Sequence, residues 1–396
     1  SEETGLDPRA DVTFCGRGDP FPVEDADLGV RWVVHPFLFE VAKHGGEERE
    51  SGEDETGERT NEARTNEART SEERTREDPA IEPNRETSAW EWVPPTEILR
   101  RETVPDLWRS YDAVRPTVET VANDREHGSA WLSLRALEVL RDEAALAVER
   151  RGEAGEQVDL RELARDLVAA RPSMTVLRNR VDRVMARATE AHAEAAESDG
   201  GKSTGIDDGA GTEDATGTDD QTDTDDEAAV DPGAVESAAD VVIARSREAD
   251  EEAAAAAAER IEGDRVATLS RSGTVLDALQ RADPAAVLVA ESRPGREGVG
   301  VAEALAAANL DVTLTSDAAL AAELETWAAD LLLVGADAVL ADGHVVNKVG
   351  TRGAALAANH EDVPVLVVAA TDKVEASGPT PASVDREEGA MGPLYD

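Results

Sequence analysis

The chain has 396 residues, with 86 Asp or Glu against 40 Lys or Arg, and a formal charge of -46 at pH 7. So acidic a surface repels nucleic acid and anionic membrane by Coulomb forces, which excludes both as direct partners. Its one cysteine, Cys15, allows no intramolecular disulfide framework, and no apolar run approaches the roughly 20 residues of a membrane helix.

Lysine occurs only at Lys43, Lys202, Lys348 and Lys373, so nearly all the cations are arginine. Hydrated carboxylates keep a protein soluble in strong brine, and near molar salt the Debye length shrinks to roughly 3 Å, which screens the self-repulsion of the chain. The composition therefore reads as that of a halophile's cytoplasmic protein, the lone thiol fitting a reducing compartment. The melting temperature is expected to rise by more than about 10 °C between about 0.1 M and about 2 M KCl. A midpoint indifferent to salt, followed by circular dichroism, removes that reading.

The opening "SEETGL" (1–6) reads like the tail of a helix entering a Gly turn, and the chain reads as a fragment. Glu2, Glu3, Gly5 and Leu6 resemble the end of the Nudix box. The resemblance implies that such adjacent glutamates hold a Mg ion that activates water, a role suited to hard carboxylate oxygens. "ADVTFCGRGDPFP" and "VRWVVHPFLFEVA" read as strands, and "AWEWVPPTEIL" (89–99) resembles a closing strand and Trp-bearing turn. All four phenylalanines and five of the six tryptophans precede residue 132. Residues 1–110 are thus expected to be a partial α+β Nudix-like domain, with too little of the box for hydrolysis. Inside it, 45–80 is expected to be a mobile insertion, because the Thr-Glu-Arg repeat at 58–78 has a period of five that suits neither helix nor strand.

From 111 to 190 apolar residues return every three or four positions, the mark of a helical domain. "DREHGSAWLSLRALEVL" (124–140) and "ARPSMTVLRNRV" (170–181) each pair small residues with an arginine at a helix entry, which caps and packing alone would also explain. Residues 191–235, rich in Asp, Gly and Thr, read as a disordered acidic linker. Its "GGKST" has neither the first glycine nor the preceding strand of a phosphate loop.

In 236–396 a long alanine-rich helix (233–262) leads into five short apolar runs: 266–270, 285–292, 311–316, 330–341 and 363–370. Strands apolar on both faces and separated by helices predict a parallel sheet, hence a Rossmann-like α/β domain with its ligand beyond the strands' carboxyl ends. Ser270, Arg271, Ser272, Glu291, Ser292, Arg293, Asp317, Asp337 and Lys373 fall at those ends, with Gly350 and Thr351 opening a helix. These cations and free N–H groups suit a phosphate. Asp337 beside them shuttles protons or, more plainly, pairs with Lys348 or Lys373.

"ATLSRSGTVL", "ESRPGREGVGVAEAL", the block from "LLLVGADAVLADGHVVNKVGT" to "VPVLVVA" and Lys373 resemble the translation initiation factor 2B alpha/beta/delta family, which also contains sugar-phosphate isomerases. The resemblance covers roughly 115–396, and "HGSAWL" and "ARPS" join it. It implies a sugar phosphate or nucleotide held by Arg171, Ser270, Arg271, Ser272, Arg293, Asn347, Lys348 and Lys373, with Asp337 as the catalytic group of any activity. It also implies no cofactor for this domain, assembly as a homodimer or larger homo-oligomer, and a translation initiation factor as a partner. The isomerases have a cysteine where this chain has Ser270, and tend to have arginine where it has His127. A serine hydroxyl cannot replace a thiolate-forming acid or base at neutral pH. A regulatory binding protein is therefore expected; the alternatives are a ribose 1,5-bisphosphate isomerase-like enzyme and, in a longer gene product, a Nudix hydrolase.

Overall fold

The computed structural model describes residues 12–25, 29–41, 91–151, 158–200 and 230–375. Glu2, Glu3, the Thr-Glu-Arg repeat and most of the acidic linker lie outside the described residues. The chain divides into two units, Ser1–Arg115 and Pro116–Asp396.

In the first unit, β1 (Val12–Arg17) pairs antiparallel with β4 (Phe37–Val41), and β2 (Phe21–Asp25) with β3 (Val30–Val34). The two pairs are separate two-stranded sheets, linked where Gly18 N donates to Pro36 O at 3.0 Å. Phe14, Phe37 and Phe39 cluster on the β1–β4 pair, with centroids 5.7 to 6.4 Å apart. The expected closing strand near 89–99 differs. Glu91–Val93 is irregular and Pro95–Leu99 is a 3-10 turn, because consecutive prolines at 94 and 95 remove two ladder donors. A short helix, α1 (Leu107–Asp112), follows.

The second unit opens with α2 (Val118–Asn123), started by a Thr117–Thr120 capping box. Next come α3 (Ser129–Glu149), α4 (Leu160–Ala170, capped by Asp159), α5 (Thr175–Gly200) and α6 (Pro232–Ala258, capped by Asp231). The linker is thus shorter than expected. Residues 191–200 continue α5, since Ala and Glu keep helix propensity where charge alone suggested a loop, and Pro232 opens α6 at a position that favours proline. Leu137, Leu140, Leu167, Leu177 and Val184 form the helical core with the first half of α6, through Val235, Ala239 and Val242. The second half of α6 packs Ala254, Ala257 and Ala258 into a different core, that of the sheet. One helix therefore belongs to both layers.

The sheet consists of β5 (Arg265–Leu269), β6 (Ala286–Ala290), β7 (Val312–Thr315), β8 (Leu331–Gly335) and β11 (Val365–Val368), all parallel, in the order β11-β8-β5-β6-β7. Helices α7 (Gly273–Arg281), α8 (Glu297–Ala307), α9 (Asp317–Thr326) and α10 (Thr351–His360) intervene. Central strands β6 and β8 are buried at all five residues, as their apolar runs require. The run at 330–341 is not one strand. It breaks at Ala336–Asp337, and Ala338–Val339 (β9) turns back against Val345–Val346 (β10). At the head of α8, a Cβ on Gly298 would meet Ala290 O at 1.9 Å, so glycine lets the helix start directly on the end of β6. Among the described residues no helix is long and apolar enough to cross a membrane.

Candidate functional site

The sheet winds from β5 outward through β6 to β7, then returns to place β8 on the other side of β5. Chain connections after β5 and β8 therefore leave in opposite directions, which makes the carboxyl ends of these two strands the switch point where sheets of this kind bind ligands in a crevice.

Three loops meet on one side of it. Ser270, after β5, and Ser292, after β6, take left-handed backbone conformations (φ 63° and 60°), uncommon for residues with a side chain and concentrated at functional sites. Ser270 N donates to Ser292 Oγ at 2.6 Å. Asp317, the first residue of α9, accepts from Ser292 N at 2.8 Å and Arg293 N at 2.7 Å, and so ties down the loop after β6. Arg293 Nε lies 2.6 Å from Glu291 Oε1, and Arg296 Nε 3.4 Å from Oε2. The hydrogen bond from Arg293 holds the Glu291 carboxyl below its usual range.

Asp337 stands where the 330–341 run breaks, its amide bound to Val346 O at 2.8 Å. Ser129, at the start of α3 in the helical layer, reaches Asp337 Oδ1 with its hydroxyl at 3.4 Å. Burial pushes the Asp337 carboxyl above its ordinary value, against the opposing pull of Lys373, the Ser129 hydrogen bond and Lys348. Lys373, 4% exposed, donates from Nζ to Ala336 O at 2.7 Å. Burial depresses its ammonium, opposed by Asp337 and Asp250 and aided by Arg180. Both shifts disfavour the charged form, the effect that burial has on a carboxyl and on an amine alike. Lys348 pairs with Glu297 rather than with Asp337. Asn347 Nδ2 donates to Thr351 Oγ1 at 2.9 Å, and Gly350 caps α10 with φ 102°, a backbone that glycine alone takes without strain.

Ser272, Arg171, His127 and Arg271 have the following surroundings. Ser272 caps α7, accepting from Val275 N at 3.4 Å, and a Cβ on Gly335 would meet its Oγ at 2.6 Å. Arg171 bonds the carbonyls of Val121, at 2.9 Å, and Asp124, so it fastens the end of α2. His127 stacks on Trp131 at 3.7 Å and pairs with Asp124 at 2.8 Å. Arg271 is exposed beside α7.

Beneath Lys373 lies a network that sequence reasoning missed. Fully buried Arg180 on α5 binds Asp372 Oδ2 at 2.9 Å, Ser133 Oγ at 2.8 Å, Ser246 O at 3.2 Å and Asp250 Oδ2 at 3.0 Å. Arg183 also holds Asp372, and Asn179 Nδ2 donates to Asp372 O at 2.8 Å. The segment after β11 is thus bolted to α3, α5 and α6. Among the described residues no cluster of three or more His, Cys, Asp or Glu is placed to hold a metal ion.

The model of the initiation factor 2 subunit family matches residues 125–393. An eIF-2B subunit 2-like protein of Pyrococcus furiosus is 37% identical over 148 residues, 36% of this chain and 53% of its own. A ribose 1,5-bisphosphate isomerase of Haloferax volcanii is 35% identical over 158 residues, 39% of this chain and 48% of its own. The chain spans about half the length of these curated relatives. The crystal structure of the Pyrococcus horikoshii OT3 translation initiation factor eIF-2B shares the fold, with a TM-score of 0.50 at 24% identity over 66% of this chain and 80% of that one.

Proposed function

We propose, from the premise that the chain belongs to the initiation factor 2 subunit family, that its second unit binds a phosphorylated sugar or nucleotide above β5 and β8 as a regulatory subunit and does not isomerise it. The observation that carries this is Ser270. It sits buried at the end of β5, where an isomerase of this kind needs a thiol, and its hydroxyl holds its proton at any physiological pH. The gathering of Lys373, Lys348 and the α10 amino terminus supports an anionic ligand. Exposed Leu356, Val365 and Val367 on α10 and edge strand β11 support pairing with a second copy. A translation initiation factor as partner, cytoplasmic residence and a Nudix-type first unit remain parts of the same proposal, the last supported by the antiparallel strand pairs of that unit, with Glu2 and Glu3 proposed as its Mg ligands.

The second reading, a ribose 1,5-bisphosphate isomerase-like enzyme, is favoured by the raised carboxyl of Asp337. The full chain in molar KCl, given ribose 1,5-bisphosphate, is expected to bind it without forming ribulose 1,5-bisphosphate. Turnover above about 1 per second that disappears in Asp337→Asn would replace the regulatory reading with the enzymatic one.

A further inference from the structure

Lys348 is not idle in the crevice. Its Nζ is paired with the carboxylate of Glu297, the two side chains being 33% and 17% exposed. Glu297 is the first residue of α8, and its carboxylate folds back over Gly295. There a Cβ would meet Oε1 at 2.5 Å and Oε2 at 2.8 Å. The missing side chain of Gly295 is therefore the seat of the carboxylate. Arg293 and Arg296 both turn to Glu291 instead. Glu297 is thus an anion supplied by the chain itself, on a cation that the phosphate reading assigns to the ligand.

We infer that Glu297 determines the charge a ligand must bring: it occupies Lys348 and yields it to a dianionic phosphate monoester, but not to a phosphodiester or a carboxylate. The inference rests on the phosphate reading of the crevice. A phosphate monoester carries about -1.5 to -2 charges at pH 7, so moving Lys348 from Glu297 to that group gains Coulomb energy. A diester or carboxylate carries a single charge, and the exchange replaces like with like. Release needs only side-chain rotation, because the Glu297 backbone stays in the first turn of α8. The displaced carboxylate has solvent to turn to. A purely structural role, completing the first turn of α8 and its ion pair, would leave ligand discrimination alone.

The test measures binding of two probes to the full chain by calorimetry in molar KCl: ribose 5-phosphate and its methyl phosphodiester. The parent is expected to prefer the monoester by about thirtyfold or more. Glu297→Gln removes the competing charge and is expected to tighten the diester by about tenfold and the monoester by about threefold, so the preference narrows. Gly295→Ala keeps the charge but fills its seat, and should shift the preference in the same direction. Lys348→Ala added to Glu297→Gln should cancel the gain. If the parent binds the monoester and neither variant narrows the preference, or the gain survives loss of Lys348, the role of Glu297 is overturned while the phosphate site stands. If neither the parent nor Glu297→Gln binds either probe, the phosphate site falls and this role with it. Should Gly295→Ala fail to fold by circular dichroism, Glu297→Gln with and without Lys348→Ala decides.

Discussion

Arg180→Ala is expected to cost about 3–5 kcal/mol of folding stability, the usual result of removing one partner from a buried charge network. The guanidinium satisfies Asp372, Asp250, Ser133 and a carbonyl of α6 from a fully buried position, and alanine would strip Asp250 of its ion pair and Asp372 of one of two. Arg183 still reaches Asp372, so the loss should fall short of every contact summed. The two carboxylates then respond in opposite ways. Burial pushes Asp372 up, but the hydrogen bonds and charges of Arg183 and Arg180 outweigh it, and the net shift is downward from 3.8. Its contribution is therefore fully present above pH 3.8 and is lost as pH falls through the lower, folded value. Asp250 is raised, burial outweighing Arg180 and Lys373, and its Oδ1 is buried without a hydrogen-bond partner. When ionised it opposes folding, and acid relieves it. Asp372→Asn should accordingly be costly at pH 7 and Asp250→Asn mild, as read by denaturant midpoints. Equal losses, or a change below about 1 kcal/mol for Arg180→Ala, would show that the network is not what holds the 371–375 segment.

Lys373→Met is expected to weaken binding of a sugar phosphate by about 1.5–3 kcal/mol, the range of a charge-assisted contact, while the fold survives. Burial already depresses this ammonium, so an apolar side chain of similar length relieves a desolvation penalty. Asp337 would lose its largest opposing charge, which raises its carboxyl further. Lys348→Ala should cost less, since that side chain is one-third exposed and shares its charge with Glu297. Calorimetry on both variants checks the order. A Lys373→Met protein that binds as the parent does places the phosphate elsewhere.

The parallel sheet was legible because strands buried on both faces must be apolar throughout, as β6 and β8 are, and the residues closing each run had to gather at one sheet edge. What could not be read depended on pairs far apart in the chain. Ser129 meets Asp337 across 208 positions and Arg180 meets Asp372 across 192, and no local period records either. Ser272 and Arg171 are chemically suited to a ligand and equally to the helix cap and the carbonyls that they bind in the structure, a choice that residue type alone does not make. The end of the fourth strand just before Asp337 was legible from the aspartate itself, but the return of β9 against β10 was not, because the residues that follow are again apolar. Glu297 gave no signal at all in a chain with 86 carboxylates.

Helix α6 gives the two layers a common rod, its first half in one core and its second half in the other. Moving one layer over the other would bend that rod or tear one of its cores. The span from Ser129 to Asp337 is therefore tied to the packing of that helix, and under the proposed phosphate reading the crevice is expected to act as a fixed mould and not as a jaw. Capture of the proposed ligand would then fall to rotating side chains, and such small rearrangements favour fast association, with differences between ligands expected mainly in how long each one stays.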